Sequence, residues 1–472
     1  MRWRMILVLL LVVLAPGLPL ATAEDSGPGS PSGGDGYWPL DGNSGTDARH
    51  YDIRVAYDFA DRILAGRTKI RMRATKDLSS FSLDLVLPVS SVSVDGRRAR
   101  FRRPHPHEVR VVPSRAIAAG DLFTVEVRYR GRPERFAYAG QRNWLADRHE
   151  VVTMNEPHMA PWWYPSNDHP SDKATFDIRV NVPRAKEVVS NGVRVSRRVS
   201  GNRATTHWRM TDPMTTYLAF FAAGDFRIET GRTRSGIRYY NAVSDRLPAS
   251  VRSRAVRILR RTSGITEWLQ RQLGDYPFST TGGLVTSLPV GFALENQTRP
   301  TYGSWIYPGV VVHEVAHQWF GDSVSVRRWR DIWLNEGFAT YAEVFYAAGH
   351  GGPSVNTWLQ GVYDATCRHP GSVFWRLDLD DPGASRVFHS AVYDRGAMVL
   401  AALRNRIGGT DLLRLLRTWV RDHRDGNATV AQFETLAETV SGEQLDGFFD
   451  AWLRSGAPPA GTSANGLGRG CP

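Results

Sequence analysis

Between His313 and Glu336 the chain reads HEVAHQWFGDSVSVRRWRDIWLNE, and this stretch requires two helices to lie side by side. The run from Pro308 to Val312 reads as a first helical turn: proline suits the first position and the three valines are core material. Gly321, after Trp319 and Phe320, marks where that helix would stop. His313 and His317 are four residues apart, so both imidazoles leave one face, one turn apart, and can grip a single metal ion. Glu314 is rotated to the side, where a carboxylate can take a proton from an activated water. Eighteen residues separate His317 from Glu336, which lies in the first turn of a second predicted helix, Ile332 to Tyr346, with Asp331 as its cap. Two histidines and a glutamate leave a fourth tetrahedral position open, the pattern of a catalytic rather than a structural zinc. The bare five-residue motif also occurs by chance on core helices. The correctly spaced glutamate, with no cysteine competing as ligand, argues for one Zn2+ per chain held by His313, His317 and Glu336.

The rest of the 472-residue chain sets bounds on this site. Hydrophobic content of 42% and aromatic content of 11% describe a globular protein of more than one domain. Residues 1–23 read as a signal peptide: Arg2 and Arg4, an apolar run from Ile6 to Leu14 too short to span a bilayer, and a small-residue cleavage site at Ala21-Thr22-Ala23. The expectation is a secreted protein, extracellular or periplasmic, with no stable membrane insertion after cleavage. Export makes Cys367 and Cys471 disulfide candidates, although sequence gives no distance between them. The net charge of +12 is almost wholly arginine, spread along the chain instead of clustered with aromatics on one face, which argues against nucleic-acid binding.

Residues 24–46 are Gly, Ser, Pro and Asp with little apolar content and read as a flexible linker. From His50 to about Ile228 the apolar period is two, as in Tyr51, Ile53, Val55 and Tyr57, or Phe176, Ile178, Val180 and Val182. Residues 47–230 are therefore expected to form an antiparallel β domain. Within it, Met154 to Pro170 breaks the pattern and reads as a structured loop, with Glu156 near its start. Residues 231–460 turn helical, beginning with one long amphipathic helix from Leu247 to Leu273. Helices are also expected over Val392–Ile407, Thr410–Asp422 and Val430–Val440, and 461–472 is a tail. Glu295 and Asn296 follow an edge-like strand just before the metal helix, and Asn296-Gln297-Thr298 also fits a glycosylation acceptor.

Peptide hydrolysis at such a site needs one further donor for the oxyanion. Tyr341, Tyr346 and Tyr393 all lie downstream, and spacing does not choose among them. Glu343, seven residues after Glu336 on the same helical face, can anchor a metal-bound histidine or simply face solvent.

These residues resemble the aminopeptidase N family of zinc metallopeptidases, the gluzincin group with a thermolysin-like catalytic domain. The match rests on H-E-x-x-H-x18-E at His313, Glu314, His317 and Glu336, and on W-x-D-x-W-L-N-E-G-F-A at Trp329 to Ala339. It extends from about Ala48 to Pro459. The resemblance implies an α+β multidomain fold: an N-terminal antiparallel β domain followed by a thermolysin-like, mainly helical zinc metallopeptidase domain. The family's Y-x-K-G-A element falls on Tyr393 to Ala397, with Arg395 for lysine, and implies Tyr393 as the transition-state donor. Its G-x-M-E-N element falls on Phe292 to Asn296 and its E-P-x-x-A-R element on Glu156 to Pro161. Glu295 and Glu156 are thereby implied to bind the substrate's free α-amine, and the partners to be peptides with a free N-terminus. Phe292, Leu294 and Pro161 depart from the family's glycine, methionine and arginine, at positions that shape the pocket for the first side chain. The large C-terminal helical domain of many members has no counterpart, which implies a cleft open on one side or covered by a partner subunit. Nothing in the sequence sets the oligomeric state. The expected function is an exported zinc-dependent aminopeptidase with Glu314 as general base and Glu343 behind a ligand. The rivals are a zinc hydrolase of a non-peptide substrate such as an epoxide, an endopeptidase, and a non-catalytic binding module.

Overall fold

The structure, a computed structural model, describes residues 27–141 and 144–472; the signal peptide read over residues 1–23 lies outside them. Period-two alternation becomes an eight-stranded sheet in which Tyr51, Ile53, Val55 and Tyr57 are buried while Arg54 and Asp58 between and beyond them are exposed. Its order is Val193–Ser200, Arg203–Thr215, Lys173–Pro183, Thr46–Asp58, Ile63–Ala74, Leu122–Gly131, Val89–Val94 and Arg97–Arg98. The sheet departs from the expected pure antiparallel form at its centre: Thr46–Asp58 runs parallel to Lys173–Pro183, with Ile53 opposite Ile178. Parallel neighbours need a long connection, and here more than half of the β domain lies between them, including the 154–170 loop.

Residues 27–46 are not a free linker. Gly27–Pro28 pairs with Leu78–Asp84, Ser30 bridges Ser44, and Asp35, Asp41 and Asn43 are buried. The composition is that of a linker, but its polar groups find buried partners: Trp329 N donates to Asp35 Oδ2 at 2.9 Å and Tyr138 Oη to Asp41 Oδ1 at 2.7 Å. The segment is a strap joining the two domains.

The second domain opens with a four-stranded mixed sheet, Phe226–Arg232, Arg238–Ser244, Thr280–Val285 and Thr301–Tyr302. Between its second and third strands the expected single helix is two, α1 (Ala249–Leu259) and α2 (Thr262–Leu273). The ladder breaks at Arg260–Arg261, where Arg261 N bonds Ile258 O, although the buried stripe of Leu259, Thr262, Thr266 and Leu269 runs straight across. There follow α3 (Pro308–Ala316), α4 (Trp333–Ala348), α5 (Val355–Thr366), α6 (Val373–Arg376), α7 (Gly396–Ile407), α8 (Gly409–Asp422), α9 (Val430–Ser441) and α10 (Asp446–Phe449). Asp331 does not cap α4; its Oδ1 accepts from Val430 N at 3.3 Å, tying the start of α4 to α9. Helix α7 starts four residues later than expected, because Ala391–Arg395 forms a wider π-helical turn. Cys367 and Cys471 form a disulfide that, with buried Leu467, holds the 461–472 tail on the domain. Asn296 is fully buried and donates to Thr301 Oγ1, so it is no glycosylation acceptor. No helix among the described residues is long and apolar enough to cross a membrane.

Candidate active site

Helix α3 begins with Pro308 at its first position and buries Val310, Val311 and Val312, which turns His313 and His317 toward α4. Nε2 of His313 lies 3.2 Å and Nε2 of His317 lies 3.3 Å from the same oxygen, Oε2 of Glu336. With metal–ligand bonds of 2.0–2.1 Å, tetrahedral ligands sit about 3.4 Å apart. Two edges of the donor triangle thus have the length found in a zinc tetrahedron, and all three atoms lie within 4.8 Å of one another. The far side of each ring agrees. Nδ1 of His317 lies 3.0 Å from Phe320 O, which only accepts, so Nδ1 carries the proton and Nε2 presents its lone pair. Nδ1 of His313 lies 2.9 Å from Glu343 Oε1. Two lone pairs facing a carboxylate oxygen call for a cation between them, so His313, His317 and Glu336 fit Zn2+.

His313, Glu314, His317, Glu336, Glu343, Tyr393, Glu295 and Glu156 all line one cavity of about 720 Å³. Glu314 is buried in its wall, and a ligand atom of Glu314 lies within 4.8 Å of ones on Glu295 and His317. Tyr393 comes from the π-helical turn, its ring parallel to His313 at 6.0 Å between centroids. A glycine contact holds it there: a Cβ on Gly337 of α4 would lie 2.8 Å from the Gly396 backbone of α7, so only two glycines allow this approach. Tyr341 and Tyr346 are turned away, stacked on Phe345 and His350. Arg395, in the family's lysine position, is buried beneath the site; it donates to the carbonyls of Trp375 and Leu377 and so fixes the turn that carries Tyr393.

Glu156 enters from the β domain. Its loop is pinned by Asp84 N to Ser166 O at 2.8 Å, by Val86 N to Pro161 O at 3.0 Å and by His158 Nδ1 to Asp41 Oδ2 at 2.5 Å. Glu156 Oε1 is buried without a hydrogen-bond partner among the described residues. Burial first, then neighbouring Glu295 and Glu336, raises the Glu156 carboxyl well above the usual range. Glu295 is raised too, by burial against the opposing pull of His317. Two residues escaped the sequence reading. Tyr217 Oη donates to Glu295 Oε1 at 3.2 Å, and Gln318 Nε2 donates to Glu295 O at 2.9 Å. Gln318 was within reach of sequence, one turn past Glu314; Tyr217 had no local signal, since its contact spans 78 residues and two domains. At the cavity mouth stand Phe292, Tyr307 and Phe388, all large and exposed, at 45%, 50% and 40%.

Residues 47–218 match the peptidase M1 N-terminal domain and residues 282–452 the peptidase family M1 domain. Aminopeptidase M1-D of Oryza sativa subsp. japonica is 26% identical over 460 residues, covering 89% of this chain and 51% of its own. The chain spans about half the length of the curated relatives it matches. Among solved structures, an M1 zinc metallopeptidase from Deinococcus radiodurans superposes with a TM-score of 0.80 at 27% identity, covering 91% of this chain and 98% of that one. A mutant of that metallopeptidase bound to the substrate Tyr-Ser-Ala gives 0.79 at 26% identity, over 90% and 98%.

Proposed function

Because the chain belongs to peptidase family M1 and carries that family's zinc metallopeptidase architecture, we propose that it is an exported aminopeptidase releasing the first residue of peptides. The observation that carries this reading is the pair Glu156 and Glu295. Both are buried in the cavity that holds His313, His317 and Glu336, and neither pairs with a lysine or arginine among the described residues. A substrate ammonium is the cation this pair lacks, and its charge-assisted hydrogen bonds would be strong where water is excluded. Requiring that ammonium at one end restricts cleavage to the first peptide bond and rejects chain interiors.

His313, His317 and Glu336 would hold Zn2+, which would supply Lewis acidity toward a water and the scissile carbonyl. Glu314 takes the water's proton and passes it to the leaving amine. Without a cation, burial raises Glu314 to about 8, with His313 and His317 opposing. Tyr393, kept protonated because burial and then Glu336 raise its pKa, donates from Oη to the developing oxyanion. Glu343 and Phe320 O keep the two imidazoles in the ligating tautomer. The disulfide between Cys367 and Cys471 supports export, since such bonds persist in oxidising compartments. Hydrolysis of aminoacyl amides, each compared free and N-acetylated, tests the proposal.

A further inference from the structure

Outside the residues that line the cleft, Asp84 and Glu108 stand directly opposite each other on two antiparallel strands, both essentially unexposed. Like charges in that position repel, and a buried carboxylate needs a donor or a cation. Neither pairs with a lysine or arginine among the described residues. Asp84 Oδ2 accepts from Asp168 N at 2.8 Å and from Gly42 N and Asn43 Nδ2 at 3.2 Å each. Its other oxygen, Oδ1, is buried without a donor, and beside the Glu108 carboxyl stand the Ser82 hydroxyl and Asp84 itself. The neighbouring His107 completes the set. Its Nε2 lies 3.0 Å from Leu40 O, a group that only accepts, so Nε2 bears the proton. Nδ1 then presents a lone pair, and it too is buried without a partner. A ligand atom from each of the three residues lies within 4.8 Å of the others.

Two carboxylates and an imidazole thus converge with no lysine or arginine among the described residues paired to them, and the imidazole is held at Nε2 by a carbonyl, as metal-bound histidines are. We propose that Asp84, His107 and Glu108 hold a second divalent transition-metal ion, zinc or manganese, separate from the one at His313, His317 and Glu336. The imidazole favours these ions over calcium and magnesium, which take oxygen ligands. The ion has a structural place. Asp84 binds the strap through Gly42 and Asn43, and it binds the far end of the Glu156 loop through Asp168 N and the Ser166 backbone. It would lock strap and loop to the β domain, and so hold the carboxylate of Glu156 in place.

The test is metal stoichiometry of the untagged full-length mature protein. The protein is incubated separately with Zn2+ and Mn2+, freed of excess ion by gel filtration, and counted by inductively coupled plasma mass spectrometry. Wild type is expected to retain about two ions per chain with at least one of these metals. The double variant His313→Ala/His317→Ala, which removes two ligands of the first site, is expected to retain about one, and adding Glu108→Gln to remove it. Should the triple variant fail to fold, as judged by near-ultraviolet circular dichroism, the double variant decides alone. A double variant that retains neither metal overturns the proposal, with Asp84 and Glu108 then sharing a proton. So does an ion that survives both Glu108→Gln and His107→Ala in that background, because it then sits elsewhere.

Discussion

Oε1 of Glu343 lies 2.9 Å from Nδ1 of His313, two turns along α4 from Glu336 on the opposite side of the same imidazole. One helix therefore supplies both a ligand to the metal and the carboxylate that orients a second ligand. Glu343→Gln should weaken zinc affinity by about 10- to 100-fold, the usual effect of losing such a partner. At saturating zinc kcat should fall far less. Competition against a chromophoric chelator measures the first and steady-state kinetics the second.

Glu314→Gln removes the proton acceptor and leaves all three ligands. Its kcat should drop by roughly 10²- to 10⁴-fold with zinc content unchanged by mass spectrometry. Loss of zinc in this variant would move Glu314 into the ligand set.

Phe292 stands 45% exposed at the cavity mouth, where the family has glycine. Under the proposed function its ring would pack on the first side chain of the substrate. Phe292→Gly should raise KM for substrates beginning with a large apolar residue by roughly tenfold. Alanyl substrates should change little, and kcat should hold. Equal changes for both would place the ring outside the pocket for the first residue.

The metal site also sets a pH dependence. Without a cation, burial opposes protonation of His317, but Glu336 and Glu295 outweigh it and raise the ring to about 9. A histidine raised from 6.5 contributes stability that is full below pH 6.5 and lost as pH climbs through about 9. Glu314, raised from 4.5 to about 8, loses stability in the same direction as it ionises. Metal-free protein should therefore lose stability between pH 6.5 and 9. The rise in Tm on adding zinc should grow over that window, because protons no longer compete for the imidazoles. Calorimetry with and without zinc checks the sign.

The site was legible where local geometry decides. His313, His317 and Glu336 meet because helical spacing aligns the first two and a short connection brings up the third. Glu156 and Glu295 are 139 residues apart, and what joins them is the docking of the β domain, which periodicity does not encode; only resemblance to a family brought them together in advance. Composition does not separate the strap at 27–46 from a linker, because glycine and aspartate make both linkers and buried hydrogen-bonded turns. His107 and Glu108 gave no signal, since one acidic residue in a short strand looks like any solvated one until the opposing strand brings Asp84 against it.

Most direct of all is the comparison of one aminoacyl amide, carrying the side chain preferred in a small panel, with its N-acetylated counterpart, using zinc-loaded protein. Acetylation removes the cation and leaves Glu156 and Glu295 buried and unpaired, which should lower kcat/KM by about 10³-fold or more. Glu156→Gln and Glu295→Gln should each narrow that ratio. Cleavage of the acetylated amide as fast as the free one, or of neither, would contradict the assignment of this cleft to peptide N-termini.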